Sequence, residues 1–149
     1  MKYTLEIAIQ KPIEAVAESF DSLENLKHWQ RGFQKLEPLS GTPGEEGSKS
    51  KLIFKTGKRD IEMIETIVKK NMPHEFHCTY ETKGVYNIQE NYFEILDANA
   101  TKWISKSEFR FTNFIFKVYS FLMPGSFKKQ SYIFMKDFKN YLEKGTSVA

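Results

Sequence analysis

The stretch Ile7-Ala8-Ile9-Gln10-Lys11-Pro12-Ile13-Glu14-Ala15-Val16 carries a change of period, and the fold turns on it. Upstream, Tyr3, Leu5, Ile7 and Ile9 alternate with Lys2, Thr4, Glu6 and Gln10, the period-two pattern of a half-buried strand over residues 2–10. Pro12 then stands where a helix begins, and its missing N–H has no intrahelical partner to lose there. Ile13, Val16, Ala17 and Phe20 follow at helical spacing. Asp21 or Ser22 is expected to cap a second short helix through Leu23, Leu26 and Trp29, ended by Gly32.

Beyond Gly32 the pattern returns to strands. Segments 33–39, 48–56, 59–70, 75–82, 85–96 and 101–111 each read as extended, separated by Gly-rich, Asn-Met-Pro or Asp-Ala-Asn breaks. The brevity of these connections makes the strands antiparallel neighbours. Leu52 and Phe54 share one face of their strand, Met63, Glu65 and Ile67 another, and Phe76, Cys78 and Tyr80 oppose His77, Thr79 and Glu81. In the last strand Trp103, Ser105, Ser107, Phe109 and Phe111 fall on one side. Asn87, Gln89 and Asn91 share a face with Val85, Phe93 and Ile95, and the pattern leaves open whether that face looks inward.

The C-terminal third changes character again. Phe114 to Met123 is apolar almost all round, interrupted by Pro124-Gly125, a candidate hinge. A helix of about 18 residues, roughly 27 Å long, then starts at Ser126. Its stripe is Phe127, Ser131, Phe134, Phe138, Tyr141 and Leu142, with most lysines turned away and Gly145 as the stop.

Composition bounds the function classes. The chain has 149 residues, 40% of them hydrophobic and 15% aromatic, enough for one packed domain over 1–149. Lys plus Arg is 22 against 19 Asp plus Glu, a net charge of +3 that is too weak to argue for nucleic acid. Cys78 stands alone, so no internal disulfide forms, and a reducing, cytoplasmic setting is expected. The N-terminus turns polar at once and no apolar run is long enough for stable membrane insertion.

The order strand, two short helices, six strands, long helix resembles the START-like (SRPBCC, Bet v 1-like) superfamily, and its bacterial polyketide cyclase/dehydrase-like branch in particular. The local carriers are Ile7 to Val16, the second-helix run Leu23-Glu24-Asn25-Leu26-Lys27-His28-Trp29, and the ending Phe127 to Glu143. The resemblance implies an α+β helix-grip fold, a curved seven-stranded antiparallel sheet around the C-terminal helix with a cavity between them. It also implies binding of a small hydrophobic ligand such as a lipid or polyketide, with cyclases and hydrolases among its members. It carries over no catalytic residue.

The expected ligand-binding residues are Leu52, Phe54, Met63, Glu65, Tyr80, Trp103, Ser107, Phe109, Phe127, Ser131, Phe134 and Phe138. The serines leave room that Val or Leu would fill, although each can instead bond a backbone carbonyl. Glu65 on an apolar face would be desolvated and its pKa raised, which makes it, with Tyr80, the acid–base candidate of a cyclase- or hydrolase-type alternative. No nucleotide-binding or serine-hydrolase motif supports an enzyme, and no cofactor is expected. His74 and His77 point to opposite faces of a strand, so no metal is expected. Cys78 between Phe76 and Tyr80 reads as a small inert hydrophobe. Residues 114–123 offer a lid, a homodimer or partner contact, or a membrane-touching face; the alternative is a helix start wedged under the sheet edge.

Overall fold

The computed structural model describes residues 1–123 and 125–149. In chain order the elements are β1 (Lys2–Ile9), α1 (Ile13–Asp21), α2 (Leu26–Trp29), β2 (Phe33–Ser40), β3 (Lys49–Thr56), β4 (Arg59–Asn71), β5 (Glu75–Thr82), β6 (Val85–Asp97), β7 (Ala100–Phe111), α3 (Phe114–Leu122) and α4 (Gly125–Lys144). The strands form one seven-stranded antiparallel sheet in the order β1-β7-β6-β5-β4-β3-β2. The sheet is curved around the helices in the helix-grip manner. β1 and β2 are consecutive strands yet occupy opposite edges, so α1 and α2 must span the sheet between them. Gly32 makes the re-entry from α2 into β2 at φ +82°, and a Cβ there would stand 2.3 Å from the Lys55 carbonyl oxygen.

The helices cover one face. Its packed end is centred on Phe20, near the end of α1. The Phe20 ring lies 5.6 Å from Trp29, 5.5 Å from Phe76, 5.1 Å from Phe93, 5.4 Å from Trp103 and 5.7 Å from Phe138, mostly edge to face. Ile7, Ile9, Ile13, Val16 and Met135 complete this core. Each aromatic pair is worth about 0.5–1.5 kcal/mol beyond the area it buries. Thr101 Oγ1 donates to the Lys11 carbonyl at 2.8 Å, tying the start of β7 to the β1–α1 connection.

Three expectations from the sequence are corrected here. The second helix is shorter, with Asn25 at its N-cap; Asp21 ends α1 and pairs with Lys70 Nζ at 3.0 Å, and Ser22 is extended beyond it. The buried face of α4 includes Met135 and Asp137, which lie off the expected stripe. Asp137 accepts from Arg31 Nε at 2.6 Å and Nη2 at 3.1 Å, a bidentate clamp from the α2–β2 turn onto the long helix. Ile95 is exposed, because a register shift between Ile95 and Asp97 ends the alternation there. Pro124, half of the expected hinge, lies outside the described residues.

Phe20→Ala should lower the free energy of unfolding by about 3–5 kcal/mol, since one truncation removes contacts to five rings. Urea denaturation followed by circular dichroism measures it; a loss below about 1 kcal/mol would mean that the cluster closes over the gap.

Candidate functional site

Antiparallel register lines up side chains across the concave face in rows that change in chemistry along the strands. Nearest the packed end, Phe93, Trp103 and Ile7 are cross-strand neighbours on β6, β7 and β1. The next row is Phe76, Asn91, Ser105 and Leu5. Then come Ile67, Cys78, Gln89, Ser107 and Tyr3, followed by Ser50, Glu65, Tyr80, Asn87 and Phe109. The first row is wholly apolar, whereas hydroxyls, amides and a carboxyl dominate the last two.

Asn87, Gln89 and Asn91 therefore face inward, which settles the question the alternation left open. Asn91 Oδ1 accepts the Trp103 indole N–H at 2.9 Å in the buried interior. Asn87 donates to the Glu108 carbonyl at 3.1 Å and accepts from Gln89 Nε2 at 2.9 Å. Gln89 is half-buried beside Ser107 and Cys78. Across from this floor, α4 presents Ser131, whose hydroxyl shares a 2.6 Å hydrogen bond with Tyr3; Tyr3 also reaches the Phe127 carbonyl at 3.1 Å. The Ser107 hydroxyl is buried beside the Tyr3 hydroxyl, its cross-strand neighbour, with no well-formed hydrogen bond among the described residues. A buried hydroxyl left unpaired carries an uncompensated desolvation cost of about 1–3 kcal/mol, which a polar ligand group would relieve.

Glu65 is the one carboxyl in these rows. Burial raises its pKa above the ordinary carboxylate value, and the Tyr80 hydroxyl offsets part of that rise. Burial pushes the Tyr80 phenol well above its usual value, and negative charge on Cys78 or Glu65 adds to it. Cys78 is raised well above the ordinary thiol value, again by burial first and by Glu65 second. At neutral pH the thiol is therefore protonated and a poor nucleophile. The cluster offers a phenolic donor and a carboxyl whose proton is held unusually tightly, both suited to a carbonyl or hydroxyl group.

The other expected residues divide. Met63 and Leu52 are cross-strand partners beyond the Glu65 row, with Leu52 fully covered. Phe109 and Phe127 stand 4.9 Å apart, with Phe111 at 5.4 Å from Phe127, an aromatic wall at the open end. Phe134 is half-buried on α4. Trp103 and Phe138 belong to the packed core around Phe20, and Phe54 packs on Phe33 at the β2–β3 edge, 5.7 Å between rings. The structure thus gathers Glu65, Tyr80, Ser107, Phe109, Phe127 and Ser131 at one end and separates Trp103, Phe138 and Phe54 from them. Tyr3 and Ser50 join the polar rows without having been picked out, and Ser105 joins them as one of the serines expected to leave room. Their signal was parity, since each shares a face with an expected or apolar neighbour.

Two shallow surface depressions lie elsewhere. One, of about 330 Å³, sits between α1 and the end of α4 beside Lys11, Ala15 and Tyr141; the other, of about 410 Å³, is lined by Leu5, Gly125, Lys128, Lys129 and Tyr132. Neither is lined by an expected residue, so the wide cavity expected between sheet and helix is not one of them. Rings fill its α1 end. Among the described residues no three metal-binding side chains converge, and His77 packs on Tyr92 at 4.9 Å on the opposite face of the sheet. No described helix is long and apolar enough to cross a membrane.

A curved antiparallel sheet gripping a long C-terminal helix, with a graded concave face, defines a helix-grip protein of the START-like, Bet v 1-like fold. Solved structures share it closely. A conserved protein from Geobacillus kaustophilus superposes with a TM-score of 0.77 at 14% identity, covering 97% of both chains. Ara h 8.0201 gives 0.73 at 14% identity, covering 95% of this chain and 97% of its own. Norcoclaurine synthase from Thalictrum flavum, solved with dopamine and hydroxybenzaldehyde, gives 0.70 at 15% identity over 99% of this chain and 88% of its own. No protein-family model matches the sequence, and no curated protein does. At these identities the likeness is one of fold.

The raised pKa of Glu65 makes a stability prediction with a definite sign. The folded state holds this proton more tightly than the unfolded chain does, so Glu65 stabilises fully below the unfolded carboxylate value of about 4.3 and loses that contribution as pH rises through its folded value. Glu65→Gln should therefore raise the melting temperature by a few degrees near neutral pH and leave it unchanged below about pH 4. Scanning calorimetry across that range checks it; an equal shift at both ends would show that ionisation is not the cause.

Proposed function

We propose that the chain binds a small, largely apolar ligand bearing one or two hydrogen-bonding groups, held on the concave face between the sheet and the first half of α4. The observation that carries this reading is the polar floor of Glu65, Tyr80, Gln89 and Ser107 beneath the wall of Phe109 and Phe127. A protein folding only for stability gains nothing from an unpaired hydroxyl and a desolvated carboxyl on the same face. Apolar burial would supply affinity at about 25 cal/mol per Å² before the costs of association, and the polar groups would set orientation. That norcoclaurine synthase, of the same fold, was solved with dopamine and hydroxybenzaldehyde supports an aromatic ligand with oxygen substituents as readily as a lipid. Residues 1–149 act in this reading as one intracellular binding unit.

A second reading is favoured by Glu65 alone. Its tightly held proton beside the Tyr80 hydroxyl suits general acid–base work on a bound carbonyl compound, as in a cyclase or hydrolase. Glu65→Gln would then abolish turnover while leaving ligand affinity within a few-fold.

Native mass spectrometry of gently purified protein, beside the same sample denatured, tests the first reading through any mass that leaves on unfolding. Titration with hydroxybenzaldehyde, followed by the side-chain amide resonances of Gln89 and Asn87, tests it directly. Ser107→Leu, which fills the space beside the floor, should weaken that binding about tenfold, a difference of about 1.4 kcal/mol. Tyr80→Phe provides a second variant with no added volume. A clean apo mass together with unmoved amide resonances would overturn the proposal.

A further inference from the structure

α3 is built the wrong way round for a helix of a water-soluble face. Phe116 stacks on Phe111 at 6.5 Å between ring centres, and Tyr119 meets Phe127 at 5.8 Å while its hydroxyl shares a 2.7 Å hydrogen bond with Ser126. Gly84 closes against the helix start: at φ +80° it is 2.6 Å, measured from an added Cβ, from Asn113 Cβ, and Asn113 caps α3 by accepting from the Ile115 N–H at 2.8 Å. These contacts fix α3 to the rim through Phe116 and Tyr119. The opposite face is left bare, with Phe114 78%, Ile115 74%, Phe121 85% and Leu122 66% exposed and no α3 residue buried. The expected alternative of a helix wedged under the sheet edge is thereby overturned.

The charge around this face is one-sided. Between Glu108 and Asp137 the sequence has no Asp or Glu, yet it carries Arg110, Lys117, Lys128, Lys129 and Lys136. That excess exceeds the net charge of +3 of the whole chain, so the remainder of the molecule is on balance acidic. Lys117, Lys128 and Lys129 make no ion pair among the described residues. Lys128 and Lys129 also line the depression of about 410 Å³ beside Leu5 and Tyr132, close to where α3 ends. The β5–β6 turn that meets the start of α3 carries Lys83, with Glu81 two residues before it.

We propose that α3 and the start of α4 form a docking surface for an anionic lipid bilayer. Phe114, Ile115, Phe121 and Leu122 enter the headgroup–acyl boundary while Lys117, Lys128 and Lys129 meet the phosphates. The two halves suit that occupant together. An amphipathic helix buries its apolar face a few ångströms into the interface, and basic residues beside it add about 1 kcal/mol each against negatively charged lipid. A second copy of the chain would instead set the lysines of both copies against each other, since the same cations flank both faces of a self-complementary contact. A purely apolar peptide would leave the basic rim unused. The surface stands independently of the ligand proposed above and would hold if that ligand were absent.

Vesicle co-sedimentation tests it, with the 149-residue chain and liposomes of phosphatidylcholine alone or with a minority of phosphatidylglycerol. Binding is expected to the anionic vesicles and to weaken at high salt. Lys117→Glu with Lys128→Glu and Lys129→Glu should weaken it tenfold or more, as should Phe121→Ser with Phe114→Ser. All five positions are exposed, so circular dichroism of each variant should match wild type. Phe121→Trp gives a second readout through a blue-shifted emission on adding anionic vesicles, because Trp29 and Trp103 both sit in the core. Failure to bind anionic vesicles, equal binding to neutral ones, or a dimer in sedimentation equilibrium that Phe121→Ser dissociates would each overturn the proposal.

Discussion

The convergence of five rings on Phe20 is the contact on which the rest depends. It joins α1, the end of α2, β5, β6, β7 and α4 at one point, so the helices that bridge the sheet edges and the helix that lies in its curve are fixed by a single cluster. Edge-to-face packing suits this role, because each ring presents a different side to its neighbours and leaves no free direction of slip. With that end closed, α4 extends from the cluster along β1 toward the other end, secured beside the cluster by Arg31 on Asp137 and further along by Tyr3 on Ser131. The open end is therefore held by the closed end at a distance.

Antiparallel register converts this geometry into a chemical gradient. Once Trp103 is placed against Phe93, the parity of β6 and β7 forces Asn91 and Ser105, then Gln89 and Ser107, onto the same face. No separate device is needed to bring the polar groups together, and none could remove them without changing the apolar rows. Glu65 and Tyr80 reach the floor in the same way, through pairing with each other and with Ser50 and Asn87 on either side.

Strand positions were legible almost to the residue, because half-buried strands write their period into the sequence and Gly or Asp-Ala-Asn breaks close them. The inward direction of Asn87, Gln89 and Asn91 was not, since amides and apolar residues alternated on comparable terms and only the partner strand decides which face is covered. The stripe of α4 was read in the right phase but too narrow, for a related reason. Asp137 counts as solvent-facing in any pattern of hydrophobicity, and its partner Arg31 lies 106 residues away. Glu65 was legible because it sat between Met63 and Ile67, a carboxyl on an apolar face. Ser50 and Tyr3 escaped notice because a small hydroxyl and an amphipathic ring fit either face equally well.

The two ends of the molecule obey opposite rules. At the Phe20 end the interior is mostly apolar, and its buried charge, Asp137, is met by Arg31. At the α3 end a carboxyl, amides and an unpaired hydroxyl face inward, while Phe114 and Phe121 face out. Each of those choices costs stability in water, and the tight core at the other end is what lets the chain tolerate them. Polar groups turned inward and rings turned outward thus flank one rim, and it is on this pairing that both the ligand and the bilayer proposed above rest.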